Sequence, residues 1–176
     1  DQPAIALRRK PHASLPVSIG LVSQNRVDAS VTMGSTGAAM AASAVVLGVM
    51  DGVGRPSIGG PIVGLAPHTV IIDLGANVDC RSTQMASFGV MGDVFARLYW
   101  DIESPRVALL SVGSESGKGN RQTREASELL ENSGLNFIGN IEPNDLPFSK
   151  ADVVVCDGFV GNVVMKLTEG LGAAIS

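Results

Sequence analysis

Apolar residues gather along this chain in short unbroken runs rather than singly, and most runs lead through a turn into a segment of helical period. A β-branched run at 27–33 ends at Gly34-Ser35-Thr36-Gly37 and predicts a strand, with an Ala-rich helix following to Met50. Residues 51–61 hold Gly52, Gly54, Pro56, Gly59, Gly60 and Pro61, which predicts a loop. A second strand is expected at 70–74, ending at Gly75-Ala76-Asn77. Ser82 or Thr83 can then cap a helix that turns Met85, Phe88, Gly92, Phe95 and Tyr99 to one face.

The pattern then repeats. A strand over 106–112 ends at Gly113, and a helix opening at Asn120 or Thr123 presents Ala126, Leu129 and Leu130 inward, with Gly134 as its stop. Strands are expected at 135–141 and 151–156. The latter ends at Asp157-Gly158 and feeds a helix from Val160 with Val163, Val164, Leu167 and Leu171 inward. Strands that are apolar throughout, each followed by a helix, predict an α/β fold with a largely parallel sheet covered on both faces.

Composition narrows the picture. With 45% hydrophobic residues, 21 glycines and 17% charged residues, the chain has the makings of a packed core rather than a disordered segment. Its 176 residues are the length of one domain. The net charge of −4 argues against nucleic acid as a partner, and any acidic partner would have to meet a local basic patch. Cys80 and Cys156 lack metal or redox spacing and read as reduced thiols. The longest apolar stretch, residues 38–50, is 13 residues long, short of the ~20 that cross a bilayer.

The chemistry should sit where strands end in glycine-bearing turns. Glycine lets a backbone approach a ligand, and the helix that follows offers free N–H groups, so several such turns on one sheet edge suit a phosphate. Neither the P-loop nor the dinucleotide pattern is present. The nearest match, residues 113–118, has Gly119 where a magnesium-holding hydroxyl would stand. Lys118, between Gly117 and Gly119, is the cation best placed to trap an anion, and Asn120 opens the next helix. Asn77, Asp79 and Asp157 read equally as ligand contacts or as turn formers. Arg8-Arg9-Lys10 is the one dense basic run, a solvated helix end or a docking site. His12 and His68 have no nucleophile or carboxylate at motif spacing, so neither a serine relay nor a metal site is supported.

Taken together, these turns resemble those of a known family. Residues 31–40 (VTMGSTGAAM) are similar to its "SAGNTGALM" segment, and 72–80 (IDLGANVDC) to "LDVGANVD". Residues 112–120 (VGSESGKGN) resemble "IGTEENKGN", and 155–164 (VCDGFVGNVV) resemble "VCDGFVGNVVLK". The family is the phosphate acyltransferases of bacterial phospholipid synthesis, and the likeness runs in order through essentially the whole chain. It implies a cytoplasmic enzyme that forms acyl-phosphate from acyl-acyl carrier protein and inorganic phosphate. It also implies a Rossmann-like fold akin to phosphotransacetylases, a homodimer, peripheral membrane contact and no cofactor. One α/β catalytic domain over 1–176 is expected, with family segments on either side: an opening strand before Asp1, and a membrane-contact and dimer helix after Ser176.

By the same resemblance Lys118 is the catalytic or phosphate-holding lysine. For such a reaction Asn77 is expected to be catalytic beside it, and Ser35, Thr36, Gly37, Gly75, Asp79, Gly119, Asn120, Asp157, Gly158 and Asn162 are expected to bind substrate. Because the carrier is acidic, the basic Arg8, Arg9 and Lys10 are expected to dock it. Ser35 stands where the family has Asn, and Ser116-Gly117 replaces a more acidic pair. Two other readings stay open: a phosphotransacetylase-like enzyme using coenzyme A thioesters, and a non-catalytic module that binds ligand or carrier.

Overall fold

An apolar run becomes a strand only where a neighbouring strand takes up its backbone N–H and C=O groups, and that condition divides the chain in two. In the computed structural model, which describes residues 3–62 and 65–175, there are two compact units, Asp1–Pro56 and Ser57–Ser176.

The first unit is helical. It holds α1 (Pro3–Arg9), α2 (Ser14–Ser23) and α3 (Thr36–Val46), with Ile19 and Ala42 buried. The strand expected at 27–33 is not formed. This stretch is irregular, with Val31 91% and Met33 100% exposed, and among the described residues of the unit no strand lies beside it. α3 stops at Val46 rather than Met50, because Gly48 takes a left-handed conformation (φ +80°) that ends the helix.

The second unit carries the sheet. Its strands are β1 (Gly59–Ile62), β2 (Ala66–Ile72), β3 (Val107–Leu110), β4 (Phe137–Ile141) and β5 (Val153–Val155), in the order β1-β2-β5-β3-β4. β2, β5, β3 and β4 are parallel, with Val70 opposite Val153 and Val153 opposite Val107. The expected loop over 51–61 gives up its last residues to β1, which pairs antiparallel with β2. Pro61 is tolerated there because β1 is an edge strand.

The sheet is packed on both faces. Val70, Ile72, Val107, Leu109, Val153 and Val155 meet α4 (Ser82–Trp100) and α5 (Arg121–Glu131). Ile71, Ala108, Leu110 and Val154 meet a 3-10 turn (Pro143–Phe148) and the start of α6 (Gly158–Ile175). α4 is capped one residue earlier than expected, at Arg81. The Arg81 N–H donates to Gln84 Oε1 at 2.8 Å, so a side chain reaching back closes the first turn. Met85, Phe88 and Gly92 face inward as expected, whereas Tyr99 is exposed. The reason is length: 19 helical residues span about 28 Å, while the three residues of β5 span about 10 Å. α5 turns Ala126 and Leu130 inward and leaves Leu129 exposed. On α6 the expected inward residues Val163, Leu167 and Leu171 are exposed, because only the first turns of this 18-residue helix reach the sheet.

Candidate functional site

The chain leaves β3 for α5 on one face of the sheet and leaves β5 for α6 on the other, and β3 and β5 are neighbours. Connections that part in this way open a crevice beyond the carboxyl ends of the strands. A cavity of about 220 Å³ lies there, below the ~300 Å³ at which pockets begin to suit drug-sized ligands. Met85, Leu110, Pro143 and Val160 supply apolar wall, and Ser111, Gly119, Asn120, Thr123 and Asp157 supply its polar positions.

Behind the cavity the turn after β2 is organised by a residue that the sequence reading did not single out. Asp73 is fully buried, and its carboxylate accepts from five donors. Oδ1 takes the N–H groups of Ile58 (3.1 Å), Gly75 (3.2 Å) and Ala76 (3.0 Å). Oδ2 takes the N–H of Asn77 (2.6 Å) and its side-chain Nδ2 (2.8 Å). The amides of the Gly75-Ala76-Asn77 turn are therefore spent on Asp73, and so is the Asn77 side-chain Nδ2. Asn77 is buried and Asp79 exposed.

The start of α6 is fastened onto that turn. Gly158 N–H donates to the Asn77 carbonyl (2.9 Å), and a Cβ at Gly158 would lie 2.8 Å from the Asn77 backbone. A Cβ at Gly161 would collide with the Asp73 carbonyl oxygen, and Asn162 lies over Gly75. Asp157 caps the helix through Oδ1, which accepts from Val160 N–H at 2.8 Å. Two glycines that look like ligand-approach positions thus serve close packing.

The third turn contributes the mouth of the cavity. Gly117 and Gly119 have φ of +86° and +103°, a backbone that side-chain-bearing residues rarely adopt. Asn120 caps α5, its Oδ1 accepting from Thr123 N–H (2.9 Å) and Thr123 Oγ1 (3.1 Å). The next donors, the N–H groups of Arg121 and Gln122, carry the partial positive charge of the helix start. Lys118 is exposed and its stem lies over Gly113. Gly119 and Asn120, rather than the Lys118 side chain, form the wall.

Two of the four glycine-bearing turns therefore line the cavity, and a third, after β2, packs against the start of α6 in the same unit. The fourth belongs to the first unit, where Ser35 is the N-cap residue of α3 and Thr36 and Gly37 open it, all three exposed. Arg8 and Arg9 end α1 and Lys10 follows it, also exposed.

Both cysteines are free. Partial burial, then the charge of Asp157, pushes the Cys80 thiol up to about 11 although Gln122 donates to it. Burial, then Asp157 and Asp73, raises Cys156 further. Neither is a thiolate near neutrality, so neither is an activated nucleophile. Among the described residues no cluster of three or more His, Cys, Asp or Glu could hold a metal ion. No helix among them is long and apolar enough to cross a membrane.

Comparison with known proteins agrees with this picture. A family described as "Fatty acid synthesis protein" matches residues 1–176. A phosphate acyltransferase from Moorella thermoacetica is 46% identical over 175 residues, 99% of this chain and 52% of that protein. One from Pelotomaculum thermopropionicum is 48% identical over 175 residues, 99% of this chain and 51% of its own length. The chain spans about half the length of these curated relatives. Among solved structures, the EutD phosphotransacetylase from Staphylococcus aureus matches with a TM-score of 0.62 and 19% identity, covering 98% of this chain and 66% of that one, which is a likeness of fold.

Proposed function

The chain belongs to the fatty acid synthesis protein family, and from that premise we propose that it carries the phosphate-handling part of an acyltransferase. The reaction moves an acyl group from acyl carrier protein to inorganic phosphate. The observation that carries this reading is that two glycine-bearing turns, after β3 and after β5, line one small cavity at the switch between those strands, with the turn after β2 packed against the start of α6.

A phosphate oxygen attacks the thioester carbonyl carbon, a C–O bond forms, the C–S bond breaks, and the carrier leaves as a thiol with acyl-phosphate as the other product. Phosphate is already nucleophilic, so the work is alignment, worth up to ~7–11 kcal/mol, and stabilisation of the thioester oxyanion, about 2.7–4 kcal/mol for one good donor. Lys118, with Gly119, Asn120 and the amides that open α5, holds the phosphate, and Asp157 accepts its remaining O–H. Asn77 and Asn162 polarise the carbonyl, Asp79 stands at the rim, and Gly75 and Gly158 let the two turns close together. In the first unit, Ser35, Thr36 and Gly37 form a helix start suited to an oxyanion of the substrate, and the Arg8-Arg9-Lys10 run docks the acidic carrier. No acyl-enzyme forms, consistent with two cysteines held as thiols. A cytoplasmic homodimer that touches the membrane peripherally belongs to the same reading.

Trapping with hydroxylamine tests it. Acyl-acyl carrier protein and phosphate are supplied to this chain, with a full-length relative as positive control. Phosphate-dependent product is expected, and Lys118→Ala should lower kcat/KM about ten- to a hundredfold. Preference for coenzyme A thioesters would establish the transacetylase reading. Phosphate or carrier binding without product, while the control works, would leave a binding module.

A further inference from the structure

Ser111 follows β3, where its backbone N–H donates to the Ile141 carbonyl at 2.9 Å, so the sheet fixes its position. The residue is 8% exposed, yet its Oγ has no hydrogen-bond partner. Buried hydroxyls are ordinarily paired, so an orphan at a cavity wall points to a missing ligand. Three buried side-chain atoms are orphaned in this way among the described residues, the others being Asp93 Oδ1 and Asn140 Oδ1. Only Ser111 lines the cavity.

Its surroundings say what the hydroxyl waits for. A Cβ at Gly119 would lie 3.0 Å from Ser111 Oγ, so the glycine keeps a side chain away from the hydroxyl. The neighbouring Thr123 hydroxyl is committed to Asn120 Oδ1, and that same oxygen takes the Thr123 N–H. Ser111 is thus the uncommitted hydroxyl beside the first turn of the 11-residue helix α5. A helix start together with a spare O–H is a donor set for an anion.

We propose that the Ser111 hydroxyl donates to an oxygen of a small tetrahedral oxyanion seated in this cavity at the start of α5, making Ser111 a binding residue for the attacking group. The inference deepens the function proposed above and rests on it for the identity of the anion as inorganic phosphate. Asp157, which also lines the cavity, selects for an anion that still carries a proton, because a hydrogen phosphate can donate where a fully ionised oxyanion meets only repulsion.

Calorimetric titration of this chain with inorganic phosphate, and with sulfate beside it, tests the proposal. Ser111→Ala should weaken phosphate binding about ten- to a hundredfold, the loss of one hydrogen bond to a charged group, with the ligand-free melting temperature unchanged or higher. Phosphate should bind more tightly than sulfate. Equal affinity in wild type and Ser111→Ala, or no phosphate binding by the wild type, overturns it. Should the alanine variant fail to fold, the isosteric pair Ser111→Thr and Ser111→Val decides: binding retained by Thr and lost by Val supports the proposal, and equal binding overturns it. The two readings fail separately. Phosphate binding that depends on Ser111 without acyl-phosphate formation removes the enzyme and leaves the site. Acyl transfer with an unchanged KM for phosphate in Ser111→Ala does the reverse.

Discussion

Asp73 is where a single side chain decides whether the site exists. A carboxylate is acceptor-only and can satisfy five inward donors, whereas an amide turns one of its two ends into a donor. Asp73→Asn therefore sets N–H against N–H in a dry pocket. The expected cost is about 3 kcal/mol, seen as a melting temperature lower by roughly 6–12 °C in circular dichroism. An unchanged melting temperature would show that the turn holds its shape by other means. In the sequence Asp73 is visible only as a polar residue inside the strand expected at 70–74, just before Gly75-Ala76-Asn77. Asp forms turns through its own backbone as readily as it binds ligands, so nothing in the pattern sets Asp73 above Asn77 and Asp79. Ser111 was hidden for a similar reason: a serine at a strand end carries no pattern, and only the wall of the cavity makes its hydroxyl conspicuous.

Among elements, α6 shows how far helical periodicity can mislead. Its apolar stripe reads as a buried face, but the contact with the sheet is made by its glycines and by Val160 and Val164. Gly161→Ala should force the helix off the Asp73 carbonyl, at about 1–3 kcal/mol for overpacking, and displace Asp157 from the cavity wall. Gly170→Ala, on the same helix with open space around it, should stabilise by about 0.5–1 kcal/mol. Chemical denaturation of the two variants checks the contrast, and equal effects would refute glycine docking. The parallel strands and the helices between them were legible because each apolar run is bounded by glycine, proline or a capping residue. β1 was not, since Gly59-Gly60-Pro61 has the composition of a loop and becomes a strand only by lying against β2. The run at 27–33 failed in the opposite sense, with good strand residues and no neighbour among the described residues of its unit.

For the second unit as a whole, stability and site separate along the strands. Arg106 and Asp152, just before β3 and β5, clamp the amino ends of the two strands whose carboxyl ends part around the cavity. Arg106 Nε and a terminal nitrogen donate to Asp152 at 3.0 and 2.9 Å. Burial would raise the Asp152 carboxyl, but Arg106 outweighs it and holds the group below the usual carboxylate range. A depressed folded value contributes stability above the unfolded pKa, near 3.9, that is lost as pH falls through the folded one. Asp152→Asn should therefore cost about 1 kcal/mol at pH 7, modest because Arg106 is half exposed, and the gap from wild type should close as acid protonates Asp152 in the folded state. Phosphate affinity should not move. A gap that persists in acid would assign the effect to packing.

The parting of α5 and α6 to opposite sides of the sheet has one more consequence. Whatever occupies the space between their first turns is held by two elements that pack on different faces of the sheet. An occupant would act as a rivet, damping the breathing of both helix starts together. Amide exchange should slow at 121–124 and 158–161 in concert upon filling, while the far ends of the same helices keep their pace.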